Sequence, residues 1–359
     1  MHIEEAAYAF ALEGAPMRCK EFGHGHINTT WKVTADTGAE YVLQKINTHV
    51  FRDPARLMEN LCAVTDYLRQ RVEDPRQALH FVPARDGSAF YRDGKGQCWR
   101  MYDFIDGFCL DLPETEADLY ESALAFGRFQ ELLADFPAHT LHETIPEFHN
   151  TVNRYQMLRA SVAADPLGRA KEVQPELDYL FRLEQKVSRL QQLRLSGALP
   201  LRVTHNDTKL NNVLLDRQSR KSLCVLDLDT VMPGLSAYDY GDSIRFGAAT
   251  AAEDEPDASK MGLDLGLFRV YTQGFLEAAP SLTELEVQLL PLGALTMTAE
   301  VAVRFLKDDL DGDVYFKTQY PRHNLVRTRS QIALARDMER KWEEMNRIVA
   351  EVALRVRGR

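Results

Sequence analysis

The chain has 359 residues, 45% of them hydrophobic and 27% charged, a balance that sustains a real core in one large domain or two lobes. Its formal net charge of −10, with no segregated basic patch, argues against a nucleic-acid partner because phosphate backbones repel such a surface. Five scattered cysteines without paired spacing read as reduced, mostly buried thiols, and an acidic N-terminus without any apolar run near the roughly 18 residues of a membrane span leads to the expectation of a cytoplasmic protein with no membrane partner.

The first hundred residues predict a strand-rich lobe. Cys19 to Phe22 leads through Gly23-His24-Gly25-His26 to a β-prone run at 29–34. The turn Asp36-Thr37-Gly38-Ala39 joins it to 41–46 as a hairpin. Leu57, Leu61, Val64 and Leu68 recur at helical spacing within 54–71. Phe90-Tyr91 and 99–105 are further strand candidates, with Asp106-Gly107 as a hinge. Beyond it the pattern is mainly helical, with apolar faces at Phe126, Phe129, Leu133 and Phe136, at Leu180, Leu183, Val187 and Leu190, and at Phe268, Tyr271 and Phe275. In the tail, Ile332, Ala335, Met338, Trp342, Met345, Val349 and Val352 predict one long amphipathic helix. These stripes read as core positions.

One short island inside the helical half differs. Two apolar runs, 212–216 and 223–227, flank a polar turn and predict a small β-hairpin. Before it stands His205-Asn206-Asp207-Thr208-Lys209-Leu210-Asn211-Asn212, and its end carries Asp227-Leu228-Asp229. An Asp, an Asn five residues on, and a second Asp after a strand pair form the spacing of kinase-type phosphoryl transfer. That chemistry needs a carboxylate to orient the acceptor hydroxyl and take its proton, the position of Asp207. It also needs hard oxygen ligands for Mg2+, the positions of Asn212 and Asp227. Lys209 is placed to reach the γ-phosphate of ATP. His205 supports the loop and is not the base. Asp239 or Asp242 either braces this loop from behind or caps a helix. Polar turn and cap residues are the bland alternative, which the complete set with its flanking strands outweighs.

These residues resemble the aminoglycoside phosphotransferase and choline-kinase-like family. Stretches at 25–30, 202–212, 227–234, 241–248 and 323–329 extend the resemblance to the N-acetylhexosamine 1-kinases within it. It implies a two-lobed, protein-kinase-like α+β fold: a small β-rich N-lobe at 1–105, a larger helical C-lobe at 106–359 and an active-site cleft between them. The implied activity is transfer from ATP, with Mg2+, to the anomeric hydroxyl of N-acetylglucosamine or N-acetylgalactosamine. Carried over by position, Asp207 is the general base, Asn212 and Asp227 hold the metal, and Asp229 is an auxiliary acid near it. Gly25, Asn28, Gln44 and Lys45 fall to the nucleotide, and His26, Arg304 and Tyr315 to the sugar.

One departure stands out. Kinase folds place a lysine on the third strand for the α- and β-phosphates, and here Gln44 occupies that position, with Lys45 alternating to the opposite face. Glu59 on the following helix is thereby left without the lysine it would pair. Either Gln44 does a neutral version of the task, Lys45 reaches in through a bulge, or the metal does more. Other readings are a kinase acting on an aminoglycoside, choline or homoserine, a nucleotide-binding pseudokinase, and a scaffold built on the C-terminal helix. Oligomeric state is not legible.

Overall fold

The computed structural model describes residues 2–23 and 28–358. Its strands are β1 (Pro16–Glu21), β2 (Thr29–Ala35), β3 (Glu40–Lys45), β4 (Phe81–Val82), β5 (Tyr91–Arg92), β6 (Cys98–Asp103), β7 (Arg202–Thr204), β8 (Val213–Leu215), β9 (Ser222–Val225) and β10 (Met232–Gly234). Its helices are α1 (His2–Tyr8), α2 (Pro54–Arg69), α3 (Glu116–Leu132), α4 (Thr151–Ala164), α5 (Gln174–Val187), α6 (Arg189–Leu195), α7 (Ser236–Gly247), α8 (Leu265–Ala278), α9 (Glu284–Gln288), α10 (Leu290–Asp311), α11 (His323–Arg340) and α12 (Trp342–Arg357). The fold is α+β, with a β-sheet N-terminal region and a larger helical part after it. Two compact units emerge: Met1–Cys109 with Asp135–Pro146 and Val213–Pro233, and Leu110–Ala134 with Glu147–Asn212 and Gly234–Arg359.

In the first unit the main sheet has the order β1-β2-β3-β6-β4, with β5 also on β6, and every pairing is antiparallel. Strand alternation sends Val33, Tyr41, Leu43, Trp99 and Met101 to one face, where they pack with Phe10, Ala6 and Ala7 of the N-terminal segment. The opposite face carries Thr30, Gln44 and Arg100 in one row, because Gln44 stands opposite both of the others. α2 starts on Asp53, whose side chain accepts from Arg56 N at 3.2 Å, with Pro54 in the first turn. It buries Leu57, Leu61, Val64 and Leu68, the predicted stripe. Its buried Asn60 donates to the carbonyls of His142 and Val231 at 2.9 and 3.2 Å, tying helix to loop.

The hairpin predicted around 217–221 is β8–β9, with Val213 opposite Val225 and Leu214 opposite Cys224. Gly107, expected as a hinge, sits in close packing. Phe108 and Leu215 exchange backbone hydrogen bonds at 3.0 and 2.8 Å, and a Cβ at 107 would stand 2.7 Å from Leu215 O.

The second unit is helical. Tyr240, Phe268, Tyr271 and Phe275 form an aromatic cluster in its core. α7 and α10 cross at glycines: a Cβ on Gly293 would lie 2.2 Å from Ala237 O, and one on Gly241 2.3 Å from Gly293 O. Phe136, assigned to the α3 stripe, lies beyond that helix and instead meets the Tyr67 ring in the first unit at 5.1 Å. The single C-terminal helix is two, since α11 stops and α12 begins around Lys341. Lys341 Nζ is drawn to Leu263 O at 2.7 Å and to Asp337 at 2.8 Å, partners that local periodicity does not reveal. The cysteines are free, but only Cys98 and Cys224 are buried; Cys19 and Cys62 are half-buried and Cys109 is exposed. Among the described residues no helix is long and apolar enough to cross a membrane.

Candidate phosphotransfer site

The loop after β7 is held from beneath by the first turns of α7. Asp239, wholly buried, accepts from His205 N and Asn206 N at 2.8 Å each and from Gln130 Nε2 at 2.8 Å. These bonds fix Asn206 in its left-handed conformation, φ 64°. Thr208 donates its hydroxyl to Asp239 O at 2.7 Å and its N–H to Asp242 at 3.2 Å, while Ser243 donates to Thr208 O. Asp239 and Asp242 are therefore both braces, and α7 has no side-chain N-cap. Burial pushes the Asp239 carboxyl up. Burial acts the same way on Asp242, but the charges of Arg245 and Lys209 outweigh it and hold that carboxyl below its ordinary value. The buried His205 ring packs edge-on to Phe126 and Phe129, the supporting place expected of it.

Above these braces Asp207 is exposed enough to meet a substrate. Its carboxylate faces Lys209 Nζ at 3.1 Å and Asn212 Nδ2 at 3.2 Å, and Asn212 Nδ2 also donates to Asp207 O at 2.8 Å. The nitrogen end of the Asn212 amide is thus committed to Asp207, which leaves its oxygen as an acceptor. A neutral amide oxygen beside carboxylate oxygens is a hard donor set that fits Mg2+, an ion that keeps several waters and phosphate oxygens of its own. Among the described residues no three His, Cys, Asp or Glu side chains gather into a metal cluster. The loop's flank opens on a cavity of about 230 Å³ lined by Asp111, Lys209, Asn211, Arg245, Glu253 and Gln331.

The remaining predicted metal and nucleotide positions lie in the first unit. Asp227 adopts φ 53° at the entry to the 3-10 turn Leu228–Thr230. Asp229 is buried and both its oxygens are engaged: Oδ1 by Arg100 Nη1, Oδ2 by Asn28 Nδ2 at 2.6 Å. Asn28 Oδ1 accepts from Asn47 N at 2.9 Å. Gln44 donates to Thr30 Oγ1 at 3.1 Å, and its Oε1 accepts from Arg100 Nε and Nη2 at 2.9 and 2.8 Å. The β3 register runs unbroken through Gln44 and Lys45, so no bulge turns Lys45 toward the face of Gln44. Glu59 is exposed and pairs with His142 Nε2 at 2.6 Å.

Of the positions expected to meet a sugar, Arg304 and Tyr315 both adjoin the Phe316 ring. Gly25 and His26 lie outside the described residues. Arg304, on α10, holds its guanidinium 5.4 Å from the rings of both Phe148 and Phe316. Tyr315 is exposed, and its N–H donates to Asp308 at 2.8 Å. Two groups escaped the sequence reading. Arg100 has no local signal, because its meaning comes from its cross-strand neighbour. His149 stands between Glu300 Oε1 at 2.8 Å and Asn206 O at 3.4 Å, beside the loop after β7 yet far from it in sequence.

Comparison with solved structures places this architecture among protein-kinase-like folds. An aminoglycoside phosphotransferase from Alicyclobacillus acidocaldarius is 13% identical with a TM-score of 0.61, the match covering 99% of this chain and 96% of that one. A microcompartment-associated aminopropanol kinase is 15% identical, with a TM-score of 0.63 and coverage of 96% and 98%. A choline kinase from Cryptosporidium parvum Iowa II is 13% identical, with a TM-score of 0.58 and coverage of 96% and 97%. At these identities the likeness is one of fold. The family profile described as "Phosphotransferase enzyme family" (APH) matches residues 18–273, well over half of the sequence, and the chain accordingly belongs to the APH phosphotransferase enzyme family.

Proposed function

We propose that this phosphotransferase is a cytoplasmic, Mg2+-dependent sugar 1-kinase that moves the γ-phosphoryl group of ATP to the anomeric hydroxyl of N-acetylglucosamine or N-acetylgalactosamine. The observation that carries phosphoryl transfer is Asp207, a half-exposed carboxylate aligned by Lys209 and Asn212 on a loop anchored to buried acids. Asp207 takes the proton of the acceptor hydroxyl as its oxygen bonds the γ-phosphorus, and the bond to the β-phosphate oxygen breaks to release ADP. Lys209 offsets charge on the transferred group. Asn212 and Asp227 are the proposed metal ligands; bound Mg2+ neutralises phosphate charge and orients the phosphates for in-line transfer. The nucleotide is assigned to the lobe at 1–105, including Gly25, and the acceptor to the lobe at 106–359.

The sugar acceptor rests on the resemblance at 25–30, 202–212, 227–234, 241–248 and 323–329. Arg304 supports it: among the described residues its guanidinium has aromatic faces but no carboxylate beside it, a fork free to bind several sugar oxygens. Tyr315 and His26 are proposed as further sugar contacts. Phosphorus NMR of the full chain with Mg-ATP and both sugars is the test. The expected result is a new phosphomonoester signal coupled to an anomeric proton, with D207N slowing its appearance by about 10²- to 10⁴-fold. Intact ATP, or phosphate on another hydroxyl, overturns the acceptor assignment.

A further inference from the structure

The third strand carries glutamine where kinase folds carry a cation, and the neighbouring strand supplies one. Arg100 on β6 stands directly opposite Gln44 on β3, on the face turned away from the apolar cluster. Only 3% of its surface is exposed. Isolating a guanidinium from water in this way is costly unless its donors are met. Here each of its three nitrogens has a partner: Nε and Nη2 clasp Gln44 Oε1, and Nη1 bonds Asp229 Oδ1. The partners are themselves satisfied, Gln44 through Thr30 and Asp229 through Asn28, which is fixed by Asn47 N. A continuous chain of hydrogen bonds thus runs from the sheet into the turn at Leu228–Thr230.

Asp227 enters that turn in the left-handed conformation, which a non-glycine residue keeps only when its surroundings hold it. Glu59, the partner a strand-three lysine would have had, is engaged with His142. The sheet's cation has exchanged both its strand and its partner. We propose that Arg100 is a positioning residue for metal-nucleotide binding: acting through Asp229, it fixes the Asp227 carboxylate and supplies from β6 the anchoring charge that position 44 lacks. Asp229 is then a strut that orients Asp227, with both its oxygens spent on protein donors, and not itself a ligand. Gln44 serves as the clasp that aligns the guanidinium. This inference rests on the assignment of Asp227 as a metal ligand given above.

The test measures Mn2+ binding by the full chain in the presence of ATP, from the electron paramagnetic resonance signal of free Mn2+, so no acceptor and no turnover are needed. D229N is close to isosteric, and R100K keeps the charge but cannot bridge Gln44 and Asp229 as a planar fork. Each is expected to weaken Mn·ATP binding by about 10- to 100-fold, the usual cost of losing a group that orients a metal ligand. R100K/D229N should be no weaker than the worse single variant, since one chain of contacts is broken only once. A folded D229N or R100K with wild-type Mn·ATP affinity overturns the inference, and so do losses that simply add. If the wild-type chain itself binds no Mn·ATP, the phosphotransfer assignment of Asp227 fails instead.

Discussion

Asp239 shows how much a single buried acid can hold in this protein. Its two oxygens accept from the N–H groups of His205 and Asn206, and Gln130 closes the cage. Replacing it by alanine strands two buried backbone donors. Each orphaned donor costs about 1–3 kcal/mol, so D239A should lose roughly 2–6 kcal/mol of unfolding free energy in a urea titration. A loss under about 1 kcal/mol would mean that water or another acceptor reaches the loop. Sequence placed Asp207, Lys209 and Asn212 in one short motif, because the chemistry they share fixes their spacing. It could not choose between brace and cap for Asp239 and Asp242, since both roles suit an acid near a helix start. Arg100 was beyond its reach altogether: the residue that gives it meaning, Gln44, lies 56 positions away in the chain.

The crossing of α7 and α10 carries those braces, and it depends on the absence of side chains at two positions. With Ala237 O only 2.2 Å from where a Gly293 Cβ would stand, the helices have no room to accept a methyl group without sliding apart. Overpacking of this kind costs about 1–3 kcal/mol, against at most about 1 kcal/mol gained from alanine's better helix propensity. G293A should therefore be less stable in chemical denaturation, and its kcat should fall because α7 carries Asp239 and Asp242. A neutral or stabilising G293A would show that the crossing has slack. Elements of this chain were legible where their signal is local: the β2–β3 hairpin by its turn, α2 by its stripe, β8–β9 by two apolar runs. The break at Lys341 was not, because the same apolar stripe continues through the residue whose backbone leaves the helix, at φ −93° and ψ 13°.

Across the whole molecule the acids outnumber the bases, and stability against acid depends on how each carboxylate is held. Composition revealed that excess but not the pairing. Burial is the largest single influence on Asp242, Glu286, Glu300 and Asp337 and pushes them up, yet the opposing influences together outweigh it, led by Arg245 on Asp242, hydrogen bonds from Arg202 on Glu286, His149 on Glu300 and Lys341 on Asp337. All four sit below their ordinary values. Burial prevails at Asp239 and Asp309, which sit above theirs. A carboxylate lowered by folding contributes stability that is complete above its unfolded pKa, about 4, and is lost as pH falls through its folded pKa. The raised pair acts in the opposite sense, contributing below about 4 and losing that contribution as pH rises through the folded values. The lowered group at Glu286 is the cleanest to isolate, since its two oxygens receive Arg202 Nε and Nη2 at 2.6 and 2.8 Å within one unit. E286Q removes the charge but keeps the shape. The variant should be less stable than wild type at pH 7, and the difference between their urea midpoints should shrink as pH falls below about 4 and through the lowered folded pKa, where wild type loses its own carboxylate. A gap that stays constant through that range would show that Arg202 does not hold Glu286 below its ordinary value, and that the pair contributes by shape alone.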